Sequence, residues 1–240
     1  MTSDPSRHST GARSTPHSGD PSGPFFGPDD VTFEASDLRC VRQDRTLFEG
    51  FGFRLNPGEL IQIQGANGSG KTSLLRLLCL LALPDAGEVR WGGVNAEEIR
   101  PDFLRELTYI GHTHGVKADL TAHENLKVAA ALAGGITMDP DEALARIGLA
   151  GFEDTPAREL SAGQTRRVAL ARLLIHPTRL WILDEPFTAL DPRGKAMVEG
   201  ILTEHCDRGG MAIITTHQPV DIGDHAVTHI RLGSGEEGED

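Results

Sequence analysis

Apolar residues along this chain fall into stretches of two kinds. The first kind is short, and either alternates with polar residues or is apolar throughout. Val31 to Val41 and Leu47 to Leu55 predict two strands joined by a polar turn. After a Pro57-Gly58 turn, Leu60-Ile-Gln-Ile-Gln64 alternates apolar and polar and then enters a glycine-rich loop. Glu88 to Trp91, with Gly92-Gly93 behind it, and Leu107 to Ile110 are further short strands. Leu180 to Leu183 and Met211 to Thr215 are apolar at nearly every position. The second kind repeats at helical spacing. Thr72 to Leu83 predicts a helix stopped by Pro84, with the run Leu77 to Leu83 as its buried end. Leu120 to about Gly151 is helical in character and opens on Thr121-Ala-His-Glu124, the pattern of a reciprocal cap. Thr165 to Ile175 ends at His176-Pro177, and Pro192 to His205 is the last helix. Two apolar strands, each following a helix, indicate a parallel sheet buried on both faces. The class is therefore α/β, with a helical insert near the middle of the chain.

Composition changes this picture at the two ends. Residues 1 to 30 are dense in Ser, Thr, Pro, Gly, Asp and His and predict a disordered tail. Gly233 to Asp240 carries four acids and reads as a short acidic tail. The remainder of the 240 residues suffices for one α/β domain. The net charge is −12, from 35 acidic and 23 basic residues. That balance argues against non-specific nucleic-acid binding, which needs a basic face. No apolar run approaches the roughly 20 residues that span a bilayer, and no secretory signal is expected. Three cysteines (Cys40, Cys79, Cys206) without a C-x-x-C spacing predict neither a disulfide framework nor a zinc site. A reducing cytosol is the expected compartment.

The most informative chemistry is Gly65-Ala-Asn-Gly-Ser-Gly70-Lys71-Thr72, which fits G-x-x-x-x-G-K-[ST] between a strand and a helix. Gly65, Ala66, Asn67, Gly68, Ser69 and Gly70 let consecutive backbone N–H groups face phosphate oxygens. The helix start, through Ser73, adds its positive end. Lys71 supplies charge for the β and γ phosphates, and the Thr72 hydroxyl can ligate Mg²⁺. The second half of such a site is an acid at the end of a buried strand. Leu180-Trp-Ile-Leu183-Asp184-Glu185 has that form. Asp184 can hold Mg²⁺ through water, and Glu185 can act as general base on the attacking water. The two motifs predict a P-loop NTPase.

Leu160-Ser161-Ala162-Gly163-Gln164, at the head of a helix, resembles the LSGGQ signature of ATP-binding cassette (ABC) ATPases. Ala189-Leu190-Asp191 is similar to their D-loop, and His217 in Ile214-Thr-Thr-His217 to their switch histidine. The resemblance spans about residues 31 to 232. It implies a P-loop fold with a mainly parallel core sheet, an antiparallel β subdomain and a helical subdomain at about 113 to 165. It also implies a head-to-tail dimer in which Ser161, Gly163 and Gln164 of one copy complete the ATP site of the other. Lys71, Glu185 and His217 then carry catalysis, and Thr72 and Asp184 hold Mg²⁺.

Further stretches narrow the resemblance. Tyr109-Ile-Gly-His112-Thr-His114, the Ser-Ala-Gly-Gln form of the signature, Trp181 before Asp184 and Thr215-Thr-His-Gln-Pro219 are similar to the ATP-binding subunits of the cytochrome c biogenesis (haem exporter) family. The implied role is ATP hydrolysis at the cytoplasmic face of the inner membrane, peripheral to an integral membrane permease. Indirect partners would be a haem-handling membrane protein and a haem chaperone. The work done would be haem export or release of haem-loaded chaperone.

Two positions depart from the general ABC pattern. His112 stands where a Mg²⁺-contacting glutamine is usual, and a neutral imidazole can accept from a metal-bound water. No aromatic lies near Val41 or Arg42 to stack on adenine; Arg42 could do so through its guanidinium, while Phe48 is expected in the core. His112 and His114 form an H-x-H pair, but no apolar haem slot or Cys-x-x-Cys-His accompanies it, so haem ligation by this chain is not expected. The loop 112 to 119 is expected to face the membrane partner. The alternatives are an ABC transporter ATPase for another solute, a soluble ABC ATPase acting on ribosomes or DNA, and a cassette that binds without catalysis. One cassette, no heptad run and the negative charge disfavour the second, and intact Lys71, Asp184 and Glu185 disfavour the third.

Overall fold

The computed structural model describes residues 31–113, 115–134 and 137–233. The predicted N-terminal tail, all but Gly233 of the acidic tail and His114 lie outside the described residues. In chain order the elements are β1 (Phe33–Arg42), β2 (Arg45–Leu55), β3 (Leu60–Gln64), α1 (Lys71–Leu78), β4 (Ala86–Trp91), β5 (Val94–Asn95), α2 (Arg100–Arg105) and β6 (Leu107–Ile110). There follow α3 (Ala122–Ala133), α4 (Pro140–Arg146), a 3₁₀ turn (Ala157–Glu159), α5 (Ala162–Ile175), β7 (Leu180–Asp184), α6 (Pro192–Asp207), β8 (Met211–Thr215) and β9 (Val227–Arg231).

Five strands pair in parallel in the order β6-β7-β8-β3-β9, and four pair antiparallel in the order β2-β1-β4-β5. The apolar runs of β7 and β8 follow from burial on two sides. Leu180, Ile182 and Ile213 pack with the α1 leucines and with Phe33 and Leu38 of the antiparallel sheet. Trp181, Leu183 and Ile214 pack on the other face, against Val168 and Leu170 of α5 and Val198 and Leu202 of α6. With both faces covered, every position is worth an apolar side chain, about 1.5–3 kcal/mol for each one fully buried. The cap at the head of α3 forms as the sequence predicts: Thr121 Oγ1 accepts from the Glu124 N–H at 3.1 Å, and Glu124 accepts from the Thr121 N–H at 2.9 Å.

Several expectations are corrected. α1 ends at Leu78, not Leu83. The Leu81 N–H donates to the Arg76 carbonyl (2.8 Å) and the Leu80 N–H to that of Leu77 (2.9 Å), which together close the helix. Leu80 holds the left-handed position there, with φ 54°, where glycine is usual. A left-handed leucine costs about 1–2 kcal/mol, but its side chain is only 4% exposed, and burying it offsets that cost. Beyond this turn the apolar run leaves the core, with Leu81 52% and Leu83 69% exposed. α5 begins at Ala162, three residues before the predicted start, because Ser161 caps it. Gln62 of β3, read as the polar side of an alternating strand, is fully buried. β9 and α2 carry no clear period and were not expected. No helix among the described residues is long and apolar enough to cross a membrane. Cys40, Cys79 and Cys206 are buried and unpaired, and burial pushes the Cys206 thiol up to about 12.

Candidate functional site

β3, β8 and β7 lie side by side, so the loops leaving their C-terminal ends converge. That edge is where a parallel sheet presents ligand sites. A cleft of about 490 Å³ opens there, lined by Leu47, Asn67, Gly68, Gly70, Lys71, Thr72, Ser73, His112, Asp184, Glu185 and His217. Residues separated by more than a hundred positions thus share one cavity. Gly70 sits before α1 with φ 99°, and a Cβ there would meet the Leu47 side chain at 3.2 Å. Glycine is what lets the loop turn and β2 approach it.

The Lys71 ammonium lies over the loop, donating to the carbonyls of Gly65 (2.6 Å) and Ala66 (3.1 Å). It keeps a third N–H for another acceptor. The Thr72 hydroxyl donates to Asp184 Oδ2 at 3.0 Å, and the Thr215 hydroxyl donates to Asp184 Oδ1 at 2.7 Å. Asp184 is itself buried, so these bonds orient it firmly. Two hard oxygens, from Thr72 and Asp184, at the foot of a phosphate-type loop form a donor set that suits Mg²⁺.

Glu185 follows with φ 51°, a left-handed conformation unusual for a residue with a Cβ. Its N–H is held by the carbonyl (3.1 Å) and hydroxyl (2.9 Å) of Thr215. Its carboxylate lies 3.7 Å from His217 Nε2. The predicted base and the predicted switch histidine therefore face one another. His112 is exposed at the rim of the same cleft. Arg42 does not line it and instead donates to the Val41 carbonyl; Leu47 forms that wall, and Phe48 is in the core.

Ser161, Gly163 and Gln164 line no part of this cleft. They open α5, where Ser161 Oγ accepts from the Gln164 N–H (3.2 Å) and the Gln164 carboxamide accepts from the Ser161 N–H (2.8 Å). A Cβ on Gly163 would come within 2.6 Å of the Ala189 carbonyl, whereas Ala162 is exposed. The second small position therefore has room for its alanine, whereas the third has none for a Cβ without a shift of the Ala189 carbonyl. Asp191 caps α6 through the Gly194 N–H and pairs with Arg167 at 2.6 Å; the Gly194 bond first and Arg167 next hold its carboxyl below the usual range.

The motifs do not give the roles of three residues of this region. Gln62 donates to the carbonyls of Gln218 (2.9 Å) and Thr216 (3.4 Å), on either side of His217. Thr215 fastens Asp184 and the Glu185 backbone. Arg166 reaches the Asp184 and Pro186 carbonyls from inside α5. The one signal for Arg166 in the sequence is a charged residue on the helix stripe that holds Ala169, Leu170 and Leu173. A second cavity, of about 140 Å³ against Trp181 and His205, shares no lining with the cleft.

A loop, an acid pair and a histidine in this arrangement define a nucleotide-binding ATPase of the ABC type. The sequence profile of the ABC transporter family matches residues 48–188, and the chain belongs to that family. Its relatives there include proteins described as cytochrome c biogenesis ATP-binding export protein CcmA. The chain is 52% identical to CcmA of Methylococcus capsulatus over 80% of its own length and 94% of that protein's. It is 50% identical to CcmA of Escherichia coli K12 over 83% of its length and 95% of the relative's. Among solved structures, a putative ABC transporter ATP-binding protein from Pyrococcus furiosus superposes with a TM-score of 0.72 at 25% identity, covering 84% of this chain and 97% of that one. A dimeric ATP-binding cassette in a post-hydrolysis state, bound to ADP and Pi, shares the fold with a TM-score of 0.67 at 22% identity, covering 78% and 88%.

Proposed function

We propose that this chain is the ATP-hydrolysing subunit of a membrane ABC complex in cytochrome c biogenesis, serving haem export or release of a haem-loaded chaperone. The observation that supports it most is the 50% or higher identity to CcmA proteins along nearly their whole length. The cleft supports the catalytic part, because it gathers a phosphate loop, a carboxylate pair and His217 in one cavity.

In this reading the backbone N–H groups of residues 65–70 and the head of α1 take the phosphates. Lys71 supplies the positive charge. Thr72 and Asp184 hold Mg²⁺, with His112 at the rim, and the ion would neutralise phosphate charge when bound. Glu185 accepts the proton of the attacking water. His217, 3.7 Å away, contacts the γ-phosphate and helps orient Glu185. Ser161, Gly163 and Gln164 serve the site of a second copy, so the working unit is a head-to-tail dimer. Closing and opening of that dimer acts on an integral membrane permease at the cytoplasmic face of the inner membrane. The domain is taken as residues 31–232, with the helical part at about 113–165.

The test is Glu185→Gln in the native chromosomal copy, followed by haem staining of the host's c-type cytochromes. Loss of covalent haem at normal protein level is the expected result. Normal cytochromes would refute the biogenesis role and leave an ABC ATPase for another solute.

A further inference from the structure

Arg166 is 1% exposed, on the core side of α5. Burial lowers its pKa to about 10, against the pull of Asp184 and Glu185, so this position carries a real desolvation cost. An apolar side chain of similar length would join α5 to the sheet without that cost. What the guanidinium does instead is specific. Nη2 donates to the Asp184 carbonyl at 2.7 Å, Nε to the Pro186 carbonyl at 3.2 Å, and Nη1 to the Gly111 carbonyl at 3.3 Å. The first two flank Glu185. The third precedes His112.

Glu185 needs such support. A left-handed φ of 51° on a non-glycine residue persists only where its surroundings fix it. Thr215 holds its N–H from the β8 side. Arg166 holds the carbonyls of the residues on either side of it, Asp184 and Pro186, from the α5 side. A planar fork with five N–H groups can reach carbonyls spread over separate segments, whereas an ammonium offers its three N–H groups from a single point. Arg166 also lies three residues after Gly163, on the same helix that Ser161 caps.

We propose that Arg166 is a positioning residue for ATP hydrolysis: it clamps the backbone on both sides of Glu185 and the peptide before His112, and so ties the aim of the carboxylate to the signature helix. This rests on the reading of Glu185 as the base.

The experiment uses the full chain assembled with its membrane partner. MgATP turnover and MgATP affinity are measured for wild type, Arg166→Lys, Arg166→Met, Glu185→Gln and the double variant Arg166→Lys/Glu185→Gln. Rates are expressed per nucleotide bound, so that misfolded copies drop out. Both Arg166 variants are expected to bind MgATP like wild type and to lose roughly 10- to 100-fold in turnover, the scale of a small misplacement of a reacting group. The double variant is expected to be no slower than Glu185→Gln alone, because the clamp acts through that carboxylate. Wild-type turnover in Arg166→Lys, with Glu185→Gln inactive, overturns the proposal while leaving the base in place. So does a double variant slowed by the product of the two single effects, or a loss confined to affinity. Wild-type turnover in Glu185→Gln overturns the base assignment itself.

Discussion

Gln62 offers a way to separate holding the site from holding the fold. It is fully buried in β3, and its amide N–H groups donate to the carbonyls of Gln218 (2.9 Å) and Thr216 (3.4 Å). Its carbonyl oxygen has no partner among the described residues. Gln62→Leu therefore has two opposed effects on stability. Losing one good hydrogen bond and one long one, which takes the donor from the buried Thr216 carbonyl, costs about 1–3 kcal/mol, while removing an unsatisfied buried acceptor returns about 1–3 kcal/mol. The two nearly cancel, and the change in unfolding free energy is expected to stay within roughly 1 kcal/mol. Activity has no such compensation. The tethered carbonyls flank His217, the proposed γ-phosphate contact, and about 1–2 kcal/mol of lost restraint corresponds to roughly a 5- to 30-fold fall in kcat. The assay pairs ATP turnover of the assembled complex with urea unfolding of the chain. A Gln62→Leu variant with wild-type kcat would refute the reasoning. So would a loss of activity that merely tracks a loss of stability.

Two further outcomes follow from the same geometry. Gly163→Ala places a Cβ 2.6 Å from the Ala189 carbonyl, a strain of about 1–3 kcal/mol that pushes the signature and D-loop apart. Turnover of the complex is expected to fall while MgATP still binds, and Ala162→Gly, at an exposed position, is expected to stay near wild type; equal effects would contradict the packing argument. His205 is buried between Trp181, on which it stacks with ring centroids 3.6 Å apart, and Gly210, and burial pushes its pKa down to about 4. The unfolded imidazole takes a proton near 6.5, so the unfolded state binds more protons between those values and stability falls as pH drops through them. The loss is roughly 3 kcal/mol at most. Urea unfolding at pH 7 and pH 5 is expected to show a smaller pH dependence in His205→Phe, which keeps the stack; an unchanged slope would exclude His205 as its source.

Elements whose partners are near in sequence, or whose chemistry is rigidly spaced, are legible in the order of amino acids alone. The phosphate loop could be read because backbone wrapping, a lysine and a hydroxyl must sit at fixed offsets. β7 and β8 could be read because burial on both faces leaves polar residues only at their last positions, Asp184 and Thr215. The α3 cap needed only Thr121 and Glu124. Tertiary structure decided what depends on neighbours distant in sequence. α1 stops five residues before its predicted end because burying the Leu80 side chain outweighs its left-handed backbone. β9 is a strand because β3 offers it a free edge, not because its residues alternate. Gln62 and Arg166 look like ordinary polar positions, and their donors find purpose only in carbonyls brought up by β8 and β7. The reacting groups could be named from their order along the chain. How they are aimed follows from buried donors whose acceptors lie 18 to 156 residues away, and no local pattern encodes such a pairing.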